Sequence, residues 1–155
     1  MIRAILAAGI AALSLSSAQA QESAPLTVIH AGQLLAVPGE APLAEQSVFV
    51  RDGRIESVQS GYARPDGAEI IDLTDQFVLP GLIDSHVHLQ GELSPNGRLN
   101  TVTFSSADNA LDAARHARTT LMAGFTSAQE VGGQLEASVA LRNAIRDGDV
   151  IGPRL

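Results

Sequence analysis

The chain has 155 residues, is 45% hydrophobic and 3% aromatic, and carries a formal net charge of −7. That profile is one of a soluble globular protein and gives no basic footprint for a nucleic acid. Cysteine is absent and all ten basic residues are arginine, which excludes a disulfide framework, a lipid-modified N-terminal cysteine and any lysine-dependent chemistry within this stretch.

Residues 1–20 have the layout of a secretory signal. Arg3 supplies a short positive region, Ala4 to Leu15 is apolar but too short to span a bilayer comfortably, and Ala18-Gln19-Ala20 has the small-x-small pattern of a cleavage site. The expectation is removal after Ala20, a periplasmic or secreted location, and no stable membrane anchor afterwards.

From Leu26 to about Asp75 the pattern is short strands between turns. Leu26–Ile29 and Gln33–Val37 are predicted strands, and Ser47–Val50 faces Ile55–Val58 across Arg51-Asp52-Gly53-Arg54. Asp-Gly between two apolar runs is a strong hairpin signal. Pro65-Asp66-Gly67 marks another turn, followed by a strand at Glu69–Leu73. His30 reads as a solvent-facing or strand-end residue.

The most informative stretch is Val78-Leu79-Pro80-Gly81-Leu82-Ile83-Asp84-Ser85-His86-Val87-His88-Leu89. If Leu82 to Leu89 is a strand, its period of two sets Leu82, Asp84, His86 and His88 on one face and Ile83, Ser85, Val87 and Leu89 on the other. Two neutral imidazoles on one face can share a divalent ion such as zinc. A His-x-His pair alone is weak evidence; here it closes an apolar strand ahead of a polar loop, where α/β barrels keep their active sites.

Gln90 to Phe104 reads as a long loop overhanging the strand end, with Glu92 and Arg98 able to reach a substrate or simply to be solvated. A helix is predicted from about Ala107 to Ala123, capped by Ser105 or Ser106 and ended by Gly124. Its packing stripe is Ala107, Ala110, Leu111, Ala114, Ala117, Leu121 and Met122, with His116 beside it and turned away from the site. Phe125–Ala128 is a short buried strand, and Leu135–Arg146 a second helix with Ala137, Ala140, Leu141, Ala144 and Ile145 on one face. Val150–Leu155 reads as the run-in to a third strand, so the order is the βαβ pattern of a parallel sheet.

Pro80 to Leu89 resembles the first-strand signature of the amidohydrolase superfamily. The resemblance continues through Leu121–Ser127 and Leu141–Gly148 to Gly152-Pro153-Arg154-Leu155, and is to the exported dipeptidase-like and imidazolonepropionase-like branch. It implies an α/β fold. Residues 21–77 would be part of a small β-sandwich, and residues 78–155 the first two βα units and the start of the third strand of a (β/α)8 TIM barrel. One departure stands out: Gln129-Glu130 occupies the place where the family usually has an Arg-Asp pair.

The resemblance further implies His86 and His88 as metal ligands for one or two divalent ions, zinc first. The reaction would be hydrolysis of a C–N bond in a small molecule, a dipeptide or N-acyl amino acid being the first choice. Asp84 is expected either to orient a ligand histidine by accepting its second N–H or to anchor the adjoining loop. A catalytic zinc site normally takes three protein ligands and water, and the family's acid-base aspartate and bridging lysine come from later strands, so no catalytic residue is expected within this chain. A closed barrel needs roughly 250 residues, which makes this the N-terminal part of a longer enzyme, inactive alone. The rival readings are an imidazolonepropionase-like cyclic-amide hydrolase or deaminase, and a truncated remnant without turnover.

Overall fold

The computed structural model describes residues 24–155; the expected signal segment lies outside the described residues. Two compact units are separable, one built from residues up to Gln33 with Ala44–Gln76, the other from Leu34–Leu43 with Phe77–Leu155. The first belongs to a four-stranded sheet in the order β3-β2-β1-β4, where β1 is Leu26–Leu34, β2 Leu43–Arg51, β3 Arg54–Ser60 and β4 Glu69–Val78.

The hairpin forms where Asp52-Gly53 predicts it. β2 and β3 pair antiparallel with Arg51 opposite Arg54, and the two turn residues take φ of 50° and 67°, the left-handed pair that matches strand twist in a two-residue loop. The two strands expected at 26–29 and 33–37 are instead one strand, β1. The chain stays extended through the predicted break because Val28, His30 and Ala31 are wholly buried there.

His30 is therefore not solvent-facing. Its Nε2–H donates to the Ala63 carbonyl at 2.8 Å, its ring lies 5.2 Å from that of Tyr62, and its Nδ1 is buried without a partner among the described residues. Ser47, also fully buried, donates to the Gly61 carbonyl at 2.7 Å and accepts the Ala63 N–H at 2.9 Å.

In the second unit a two-stranded parallel sheet pairs β5 (Leu82–Val87) with β6 (Phe125–Glu130). Between them run α1 (Gly97–Thr103) and α2 (Ser106–Met122), and α3 (Leu135–Asp147) follows β6. The third strand announces itself as a parallel bridge between Ser127 and Arg154, secured by Ala128 N–H to the Arg154 carbonyl at 2.8 Å and Arg154 N–H to the Thr126 carbonyl at 2.9 Å. The α/β reading holds.

Helix ends follow the sequence signals. Ser105 is the N-cap of α2 in a capping box with Asp108, and the Ser105 hydroxyl and amide hold the Asp108 carboxyl below the usual carboxylate range. α3 ends at Gly148 in the left-handed conformation.

Three local expectations differ. The loop expected at 90–104 contains α1. The buried face of α2 is Ala113 and Ala117, while Leu111 and Met122 are exposed, because they project from other sides of the helix. On α3, Ala140 is exposed and Ala137 and Leu141 are buried. The core of this unit gathers Leu89, Ala113, Ala117 and Leu141, with Val87, Ala114, Ile145, Val150 and Leu155 packed around them.

Removing the Ser47 hydroxyl strands the part-buried Ala63 N–H and Gly61 carbonyl, and a buried group left unmade costs about 1–3 kcal/mol. Ser47→Ala is expected to lower unfolding stability by about 2 kcal/mol, read as a shifted denaturant midpoint at unchanged slope.

Candidate metal centre

The polypeptide leaves β5 at Val87, so His86 is the penultimate strand residue and His88 the first beyond it. This is two residues earlier than the sequence pattern places the strand end. The two rings still lie on one side, with centroids 5.3 Å apart and planes crossing at 76°. Val87 pairs with Glu130, so the carboxyl ends of β5 and β6 finish together, the edge at which α/β barrels hold their active sites.

Asp84 lies on the same strand, and its Oδ1 accepts the backbone N–H of His86 at 3.0 Å. That contact fixes the strand's own path. The His86 and His88 rings are exposed on the surface of this unit, with lone pairs open to a cation.

The donor chemistry fits a borderline-soft divalent ion: two adjacent imidazoles, each with a nitrogen to give. Among the described residues no cluster of three or more His, Cys, Asp or Glu is arranged to hold a metal. The pair offers two donors, fewer than the three protein ligands a catalytic zinc site normally takes.

What surrounds the pair was not legible in the sequence. Glu130 at the end of β6 accepts the Leu89 N–H through Oε2 at 2.7 Å and the Gly132 N–H through Oε1 at 3.1 Å. The same Oε1 stands 3.7 Å from His88 Nδ1. In the following peptide, the Leu89 carbonyl accepts from His116 Nδ1 at 2.7 Å. His116 thus turns toward the strand end rather than away from it, and its Nε2 lies 2.8 Å from an Arg115 nitrogen and 3.3 Å from Glu92 Oε2.

Gln90 ties the next residue down. Its amide nitrogen donates to the Gln134 carbonyl at 2.9 Å and to Ser138 Oγ at 2.6 Å, and its oxygen accepts the Gln134 N–H at 2.7 Å. A loop side chain thereby satisfies the start of α3, whose own N-cap residue Gln134 makes no side-chain cap.

Beside His88 opens a cavity of about 730 Å³ lined in part by Glu92, Ser94, Arg98 and Thr101. Glu92 and Arg98, singled out from the loop sequence, do meet at one cavity with a candidate ligand. Glu92 is also ion-paired with Arg115 at 3.3 Å. Hydrogen bonding to Asp112, with the Glu92 charge adding to it, raises the Arg115 pKa above its ordinary value.

Similarity to known proteins agrees with this geometry. The model of the amidohydrolase family matches residues 77–155, just over half the chain, and the chain belongs to that family. Members generally use divalent metals, and the related proteins are hydrolases acting on C–N bonds. A dihydroorotase from Trichlorobacter lovleyi is 46% identical over 43 residues, 28% of this chain and 10% of that protein. An adenine deaminase from Paracoccus denitrificans is 36% identical over 73 residues, 45% of this chain and 12% of that protein.

Among solved structures, a Xaa-Pro dipeptidase with methionine bound in its active site superposes with a TM-score of 0.74 at 32% identity, covering 83% of this chain and 32% of that one. The described fold is that of the N-terminal part of an amidohydrolase TIM-barrel protein. The chain spans about a tenth of the length of these curated relatives and about a third of the dipeptidase.

Gln90→Ala removes three hydrogen bonds at the start of α3. Amide exchange at Gln134 and Ser138 is expected to speed up about tenfold or more relative to the middle of α3, measured by hydrogen–deuterium exchange.

Proposed function

We propose that the protein is a metal-dependent hydrolase of C–N bonds in small molecules, in which His86 and His88 are two of the ligands to a zinc ion. The observation that carries this is the pair of exposed imidazoles on one side of the β5 terminus, beside an open cavity in a chain of the amidohydrolase family. A bound divalent ion supplies polarisation of the scissile carbonyl and a lowered pKa for water. The residues of this chain do the rest of what falls to them: His86 and His88 would hold the ion, and the bonds to the Leu89 backbone fix the turn that follows them. Residues supplied by other strands of the whole protein would complete the ligand set and move the proton to the leaving nitrogen.

The substrate we favour is a dipeptide or N-acyl amino acid. Such molecules carry a carboxylate, and Arg98 on the cavity wall offers a planar guanidinium that can bind one bidentately. The similarity to a Xaa-Pro dipeptidase over most of this chain supports that choice. Asp84 keeps a proposed share in orienting the histidines, acting through the His86 backbone. Export to the periplasm or beyond, directed by residues 1–20, is part of the same proposal.

A second reading, a cyclic-amide hydrolase or a deaminase, is favoured by the similarity to a dihydroorotase and an adenine deaminase. A panel of dipeptides, N-acyl amino acids, cyclic amides and aminopurines offered to the full-length protein separates the two.

Metal analysis of the full-length protein tests the centre itself. His86→Ala with His88→Ala is expected to lower bound zinc at least tenfold while the far-ultraviolet circular dichroism is unchanged. Undiminished zinc in the double variant would overturn the assignment.

A further inference from the structure

Neither histidine explains by itself which of its ring nitrogens is free. A neutral imidazole carries one N–H and one lone pair, and the partner of the first decides where the second points. For His88 the nearest fixed charge is Glu130 Oε1, 3.7 Å from Nδ1.

That carboxylate is not a wandering surface group. Its side chain is 11% exposed, and two backbone N–H groups, of Leu89 and Gly132, hold its oxygens at 2.7 and 3.1 Å. Leu89 is the residue directly after His88, so one carboxylate grips the peptide beside the ring and faces the ring's Nδ1. The Leu89 carbonyl is gripped in turn by His116, and the Leu89 side chain is buried in the core.

Space points the same way. A Cβ built on Gly132 would come within 2.9 Å of His88 Cε1 and 3.0 Å of Nδ1, so the Nδ1 edge of the ring packs against the backbone that follows Glu130. The Nε2 edge is the one left free.

We propose that Glu130 is a positioning residue for the metal centre: it holds His88 in the Nδ1–H tautomer and sets its ring so that Nε2 presents the lone pair. This rests on the reading of His88 as a ligand and adds what selects its donor atom. It also gives a use to the Gln129-Glu130 pair, the point at which the sequence departs from its family's Arg-Asp. At 3.7 Å the carboxylate stands beyond hydrogen-bond length and acts through its charge, which favours the proton on Nδ1 and raises the basicity of Nε2; loss of such an outer partner typically lowers metal affinity about 10- to 100-fold.

The test uses the full-length protein with histidine labelled by nitrogen-15. In the metal-free wild type, His88 is expected as the Nδ1–H tautomer in long-range proton–nitrogen spectra. Glu130→Gln keeps an oxygen for the Leu89 N–H, gives up the acceptor for the Gly132 N–H and takes the negative charge from Nδ1; zinc affinity by chelator competition is expected to fall about 10- to 100-fold, with a mixed His88 tautomer and a lowered melting temperature but an unchanged far-ultraviolet circular dichroism. Zinc affinity within twofold of wild type in Glu130→Gln would overturn the proposal, as would an Nε2–H tautomer for His88 in the wild type, a result that needs no variant to fold. His88→Ala run alongside separates the two levels: if it loses zinc while Glu130→Gln does not, only the positioning role fails, and if His88→Ala keeps its zinc, the metal reading fails with it.

Discussion

The parallel pairing of β5 with β6 is the constraint on which the site depends. Because the two strands run the same way, their carboxyl ends reach one edge, and Val87 stands beside Glu130 there. An antiparallel partner would have brought the amino end of a strand to the histidines, with no carboxylate at that place. The helix α2 between the strands makes the parallel arrangement possible, since a parallel connection needs a crossover of a dozen or more residues.

Packing then holds the edge still. Leu89 follows the histidines directly and is almost fully buried against Ala113, Ala117 and Leu141, a contact that stabilises the turn by about 2 kcal/mol. Small alanines on α2 let that helix come close to the strand end, close enough for His116 to reach the Leu89 carbonyl. Both backbone polar groups of Leu89 are thus taken by side chains from two different elements, while Gln90 fastens the next residue to the start of α3. The two imidazoles stand exposed at the end of β5, just ahead of a turn whose backbone is fixed, as a site that must meet a ligand without reorganising requires.

The parts of this that were legible in the sequence are the ones encoded locally. Asp52-Gly53 announces its hairpin, Ser105 and Gly148 the ends of their helices, and the spacing of His86 and His88 their common side, since each depends on residues a few positions apart. Glu130, His116 and Gln90 were missed as supports because their partners lie 41, 27 and 44 positions away. No periodicity carries that information. His30 was misjudged for a related reason: a histidine in a short strand looks exposed until the carbonyl of Ala63, thirty-three residues on, is seen to satisfy it. Leu111 and Met122 were placed on the packing face by hydrophobicity, whereas close approach at α2 selects alanine.

Membership of the amidohydrolase family and the geometry at the end of β5 converge on one claim, that His86 and His88 jointly bind a divalent cation. Anomalous scattering at the zinc edge from crystals of the full-length protein grown with zinc tests it most directly. The account predicts a peak about 2.0–2.1 Å from one ring nitrogen of each histidine. A zinc peak bonded to neither ring, in a protein with both side chains ordered, would contradict it.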